Sequence, residues 1–213
     1  QKNQSAKSKS ITIKKNINYR EISKNFWIVD GTPTDCMIFA LNHLFNKNKP
    51  DLILSGINAG SNIGDEVSYS GTVAAAWEGA VRGIDSIALS QYGGDDKINS
   101  YECSQAKGFD IINYLLKIKS QTPRFYNVNF PFIISSNLEN VRSSFTTLAS
   151  QKIADEILFD DDFSSFMIGR MINDHSSLIN TDLECLNKNK ISITPLSLNL
   201  SNNEFLKKMN HDI

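Results

Sequence analysis

The chain has 213 residues, with 22 basic and 23 acidic side chains, and 40% of its residues are hydrophobic, the balance of an ordinary globular protein with a sizeable core. A formal net charge of -1 argues against nucleic-acid binding driven by an overall charge excess, and no apolar run approaches the ~20 residues of a membrane span. Three widely separated cysteines, Cys36, Cys103 and Cys185, argue against a disulfide framework or structural zinc site and for reduced thiols in a cytoplasm.

Ser10–Ile13 alternates polar and apolar residues and predicts a short strand; Phe26–Val29 predicts another. A helix start follows, with Thr32 as cap, Pro33 in the first helical position and Asp35 at the positive helix end. Met37, Ala40, Leu41 and Leu44 then repeat at helical spacing until Pro50 stops the segment. Asp51–Ser55 is a compact apolar run that predicts a strand buried on both faces. After the loop SGINAGSNIG (55–64), Ser70-Gly71-Thr72 opens a second helix, with Val73, Ala76, Trp77, Ala80 and Val81 as its apolar stripe and Gly83 as its end. Ser86–Ser90 predicts a strand, Phe109, Ile112 and Leu116 mark a third helix, and Phe125–Asn129 predicts a further strand.

This alternation of strand and helix is the signature of a parallel sheet wrapped by helices. Beyond Pro131 the pattern loosens into shorter β-like pieces, including Phe166–Ile168 and Ile191–Thr194. Residues 1–131 therefore read as an α/β core and residues 132–213 as an appendage used in assembly.

In open parallel sheets, ligands bind outside the carboxyl ends of the strands, where the 55–64 loop falls. Gly56, Gly60 and Gly64 let backbone approach a ligand; Asn58 and Asn62 offer neutral oxygens and amide donors suited to a hard cation or a phosphate. A long turn with Asn in left-handed conformations satisfies the same pattern. Ser70-Gly71-Thr72 is either a simple helix cap or a phosphate cradle of helix N–H groups and two hydroxyls. No Walker A loop, Gly-x-Gly-x-x-Gly, His-Glu-x-x-His or Gly-x-Ser-x-Gly occurs, and the three histidines are scattered. Asp35 and Asp65 are the nearest carboxylates in sequence. The run Asp160–Asp162 reads as a solvated turn.

Five segments carry a family resemblance: NQSAKSKSITI, GTPTDC, PDLILSGINAGSNIGDEVSYSGTVAAAWEG, NVNFP and TDLECLNKNKISITPL. Together, in order, they resemble the SurE (survival protein E) family of metal-dependent nucleotidases, over most of the chain to Pro131 and again near 181–210. The resemblance implies a Rossmann-like three-layer α/β core with a β-rich C-terminal oligomerisation appendage, built from a hairpin and a swapped tail. It implies hydrolysis of nucleoside 5'- and 3'-monophosphates, one divalent cation of the Mg or Mn type, and a homodimer or homotetramer.

By the same resemblance, Ser5 and Asn58 match metal ligands, and Asn62, Ser70, Gly71 and Thr72 match residues around the phosphate. Asn58, Ser70, Gly71 and Thr72 are the expected catalytic residues. The family's two remaining ligands are aspartates of an Asn-Asp-Asp-Gly motif that does not occur here. In family order that motif is expected upstream of residue 1, which is Gln rather than Met, at the end of a first βα unit. Without those carboxylates, Ser5 and Asn58 would hold a dication weakly. The alternative expectation is a truncated, catalytically impaired oligomer that binds nucleotide or phosphate.

Overall fold

The computed structural model describes residues 7–93, 101–133, 135–150, 156–162, 164–169 and 179–209. The expected strand at 10–13 does not form. That segment is tied to a helix start instead of to a neighbouring strand. The Thr12 backbone N–H and hydroxyl donate to the two carboxylate oxygens of Asp35, at 2.9 and 2.7 Å, and the Thr32 hydroxyl donates to the Ser10 carbonyl at 2.7 Å.

A hairpin of β1 (Tyr19–Ser23) and β2 (Phe26–Val29) follows, turning at Asn25 with a φ of 63°. It lies against α1 (Pro33–Phe39), with the Tyr19 and Phe39 rings 4.5 Å apart. The start of α1 is a capping box: the Asp35 N–H donates to Thr32 Oγ1 while the Thr32 N–H donates to Asp35 Oδ2. A π-helical turn, Ala40–Leu44, continues α1 and buries Leu41.

The remaining described elements are β3 (Leu52–Ala59), α2 (Gly71–Val81), β4 (Asp85–Gln91), α3 (Glu102–Lys117), β5 (Phe125–Phe130), β6 (Ser143–Phe145), β7 (Ile157–Phe159), β8 (Phe166–Ile168), α4 (Asp182–Asn187), β9 (Ile191–Pro195) and α5 (Asn203–Met209). The central sheet has the order β3-β4-β5-β9-β6. Every neighbouring pair is parallel except β5 with β9. The sheet is thus mostly parallel rather than purely so, in a Rossmann-like α/β arrangement. Two of its strands, β6 and β9, come from beyond residue 131. β7 and β8 form a separate antiparallel hairpin.

Strand alternation gives the sheet two unlike faces. Toward α3 it presents Ile87, Leu89, Tyr126, Val128, Phe130, Ile191 and Ile193, packed with Cys103, Ile111 and Leu115. The exposed face of α3 carries Phe109, at 76% exposure, so the apolar marks read from sequence identify the helix but not the stripe it buries. The buried stripe runs instead through Cys103, Ser104, Gly108, Ile111 and Leu115, and a Cβ on Gly108 would make only ordinary contact, 3.9 Å from the Phe130 ring.

Toward α2 the sheet presents Ala88 and Phe125, packed with Val73, Ala76 and Ala80, together with the buried polar residues Ser86, Ser90, Asn127, Asn129, Ser192 and Thr194. β3 is an edge strand among the described residues, and Leu54 is 48% exposed. The expectation that the Asp51–Ser55 run is buried on both faces therefore fails on the Leu54 side, whereas β4 and β5, in the middle of the sheet, are buried on both.

Candidate active site at the carboxyl edge of the sheet

Residues 55–59 of the predicted loop are strand rather than turn, and a bulge lies within them. Ser55 pairs with Ala88 and Asn58 with Ser90, so β3 has one residue more than β4 over this stretch. Gly56 makes the bulge possible with a φ of 77°. A Cβ there would sit 3.1 Å from the Asn58 nitrogen and 3.3 Å from Thr72 Cγ2. This close approach brings the end of β3 against the first turn of α2. Asn58 then turns its Nδ2 onto the Gly60 and Ala59 carbonyls, at 3.0 and 3.2 Å, which leaves Oδ1 as the side chain's acceptor.

Asn62 lies deeper and is buried. Its Nδ2 donates to Ser90 Oγ at 2.7 Å, and its backbone N–H donates to Asn129 Oδ1 at 2.8 Å. Its carbonyl accepts from Asn127 Nδ2 at 2.7 Å and from Asn129 Nδ2 at 3.0 Å. Asn58 and Asn62 thus meet at Ser90, one by strand register and one by hydrogen bond. Ser90, Asn127 and Asn129 were not singled out by sequence reasoning. The available signal was the alternation in FYNVNF, which puts two amides on one face of an otherwise apolar strand.

Ser70 is the N-cap of α2, with its Oγ accepting the Val73 N–H at 3.1 Å. Its carbonyl takes the Ala74 N–H, so the amides of Gly71 and Thr72 belong to the helix end and carry its positive dipole. Gly71 is required for packing: a Cβ would lie 2.8 Å from Pro33 Cγ. The starts of α1 and α2 therefore touch. Lys7 is the first described residue, and the next, Ser8, anchors the N-terminal segment beside α2, with its N–H on the Tyr69 carbonyl at 3.0 Å and its hydroxyl on the Ser68 carbonyl at 2.6 Å. Ser5 lies outside the described residues.

The donors on hand suit an anion better than a cation. No three carboxylate, histidine or cysteine side chains cluster for a metal among the described residues. Both oxygens of Asp35 are taken by Thr12 and Thr32. Burial pushes the Asp35 carboxyl up, but those hydrogen bonds outweigh it and hold its pKa below the ordinary carboxylate range. Asp65 is exposed in a 3-10 turn, Gly64–Ser68. The neutral oxygen of Asn58 does not by itself fit a dication that must be dehydrated.

A Rossmann-like sheet with amides and a helix start at its carboxyl edge defines a class: an α/β protein with hydrogen-bond donors placed where ligands of such sheets bind. The chain belongs to the SurE family, whose model, described as survival protein SurE, matches residues 1–155. It is 37% identical over 209 residues to the 5'-nucleotidase SurE of Paramagnetospirillum magneticum, covering 97% of this chain and 80% of the relative. It is 35% identical over 211 residues to the 5'-nucleotidase SurE of Vibrio parahaemolyticus, covering 98% and 80%. Among solved structures it is similar to the SurE protein of Aquifex aeolicus, with a TM-score of 0.83, 29% identity, and coverage of 98% of this chain and 84% of that one. No helix among the described residues is long and apolar enough to cross a membrane.

Proposed function

We propose that this chain is a 5'-nucleotidase that hydrolyses nucleoside monophosphates to nucleoside and phosphate. The family membership supports the reaction class, and the observation that carries the reading is the convergence of Asn58, Asn62 and the α2 start on one sheet edge. The phosphate sits at the start of α2. There the Gly71 and Thr72 amides and the Thr72 hydroxyl receive its oxygens, and the helix dipole favours its charge. Phosphoryl transfer spreads charge over the equatorial oxygens, so donors fixed before the reaction lower the barrier without reorganising. Asn58 has spent its amide hydrogens on the Gly60 and Ala59 carbonyls, so its remaining oxygen is an acceptor that suits a cation or a hydroxyl of the ligand rather than a phosphate oxygen, while Asn62, held on β4 and β5, keeps the loop from relaxing away from the phosphate.

The activity toward 3'-monophosphates and the cytoplasmic location are parts of the same reading, as is a divalent cation, to which Asn58 would give one neutral oxygen and which needs more ligands than the described residues bring together. The cytoplasmic location is supported by three free thiols. The homo-oligomer is supported by the β7–β8 hairpin, where Ile157, Leu158, Phe159, Phe166, Met167 and Ile168 are all exposed, more apolar surface than a free hairpin carries without a partner.

The deciding experiment is phosphate release from a panel of nucleoside 5'- and 3'-monophosphates, in chelator and with added Mn or Mg. Turnover of 5'-monophosphates that rises with metal supports the reading. Phosphate binding with no turnover under any condition leaves the impaired binding oligomer in its place. Light scattering of the same sample gives its mass, and a monomer would remove the assembly role from the hairpin.

A further inference from the structure

The region after residue 131 touches the 55–70 segment through a buried carboxylate that the mechanism above does not use. Asp182, the first residue of α4, is fully buried. Its Oδ2 accepts the Gly64 N–H at 2.8 Å, across 118 residues of sequence. Its Oδ1 accepts the Ala149 N–H at 2.8 Å and the Leu183 N–H at 2.9 Å. Ile63, Ala149, Leu183 and Leu186 close an apolar cluster around it. A carboxylate in such a place is strongly unfavourable without donors. Here three backbone N–H groups from three segments supply them.

The position of Gly64 gives this clamp its consequence. Two residues before it is Asn62, held by Ser90 and Asn129. Two residues after it is Glu66, whose carbonyl accepts the N–H groups of Tyr69 and of the helix cap Ser70, at 2.9 and 3.0 Å. A shift at Gly64 is therefore passed in one direction to Asn62 and in the other to the start of α2.

We propose that Asp182 is a positioning residue for hydrolysis: through Gly64 it sets the 62–70 segment so that Asn62 and the α2 start face the same phosphate. This rests on the phosphate reading of the site, and it adds that the C-terminal region tunes ligand affinity directly. Asp182→Asn keeps the shape but presents one acceptor oxygen instead of two, so either Gly64 or the Ala149 and Leu183 pair loses its acceptor. Leu186→Ala removes packing from the same cluster and leaves the carboxylate untouched.

The test combines calorimetric titration of inorganic phosphate with thermal unfolding, on the 213-residue chain and both variants. Asp182→Asn is expected to weaken phosphate binding about tenfold, while Leu186→Ala lowers the Tm and leaves the Kd of the folded protein unchanged. A second measurement needs no variant. Saturating phosphate is expected to slow amide hydrogen exchange at Gly64, Ala149 and Leu183, and not at Ser104, whose N–H is held by Gln91 on the other side of the sheet. Equal weakening by the two variants, an unchanged Kd in Asp182→Asn, or exchange at the clamp amides that ignores phosphate overturns the proposal. A parent chain that binds no phosphate overturns the site reading itself, and that outcome is visible before either variant is made.

Discussion

The two faces of the central sheet are made from alternate residues of the same strands. On β4 and β5, Ile87, Leu89, Val128 and Phe130 face α3, while Ala88, Ser90, Asn127 and Asn129 face α2. The first set is all hydrocarbon and closes over Leu115. The second is as deeply buried but, Ala88 apart, polar, and at the carboxyl edge it holds Asn62. Hydrocarbon burial on the α3 side supplies cohesion, at ~25 cal/mol per Å² of apolar surface removed from water. The α2 side gives up part of that gain for amides that hold a loop in one place. Two of its buried atoms, Asn127 Oδ1 and Ser192 Oγ, have no hydrogen-bond partner among the described residues. Stability and site geometry are thus separated by the pleat of a strand rather than by distance along the chain.

That separation fails if the α3 face also sets ligand affinity. Leu115→Ala is the largest expected effect, a loss of about 2–5 kcal/mol from the cavity it leaves. Denaturant unfolding measures the loss, and phosphate titration of the folded fraction is expected to show an unchanged Kd. Asn129→Ala comes next. It leaves the Asn62 N–H without its acceptor, with an expected loss of about 1–3 kcal/mol and weaker phosphate binding in the same titration.

Asp35→Asn tests the start of α1, which belongs to neither face. The folded-state pKa of Asp35 is depressed, so its contribution is present above the ordinary carboxylate range and lost as pH falls through the depressed value. The variant is expected to be about 0.5–1 kcal/mol less stable at neutral pH, with the two unfolding curves converging in acid. Ser192→Ala is the smallest effect and has the opposite sign. Removing a buried hydroxyl without a partner is expected to raise stability by about 0.5 kcal/mol, read as a small rise in Tm.

Much of this was legible in local sequence. Thr32, Pro33 and Asp35 announced α1, and Ser70 announced α2, because a cap is satisfied within three residues of itself. Asn58 and Asn62 were legible as candidates because a long Gly- and Asn-rich stretch after a strand falls at the carboxyl edge. Other features depended on partners far along the chain. Thr12 meets Asp35 across 23 residues, and the pull of that carboxylate replaced the strand expected at 10–13. Phe109 is far more apolar than Gly108, yet it is exposed while Cys103, Gly108, Ile111 and Leu115 are buried, because the phase of the helix against the sheet is set by the whole stripe and not by its most apolar member.

The sequence by itself determined the class of fold, the order of strands and helices from Phe26 to Phe130, the starts of α1 and α2, and the family resemblance. Each rests on periodicity, capping or motif order, which are properties of neighbouring residues. Only the tertiary structure decided that β9 enters antiparallel beside β5, that the amides of β5 grip the loop after β3, and that Asp182 reaches Gly64. Those choices depend on which buried polar groups can satisfy one another across more than sixty residues, and no local pattern carries that information.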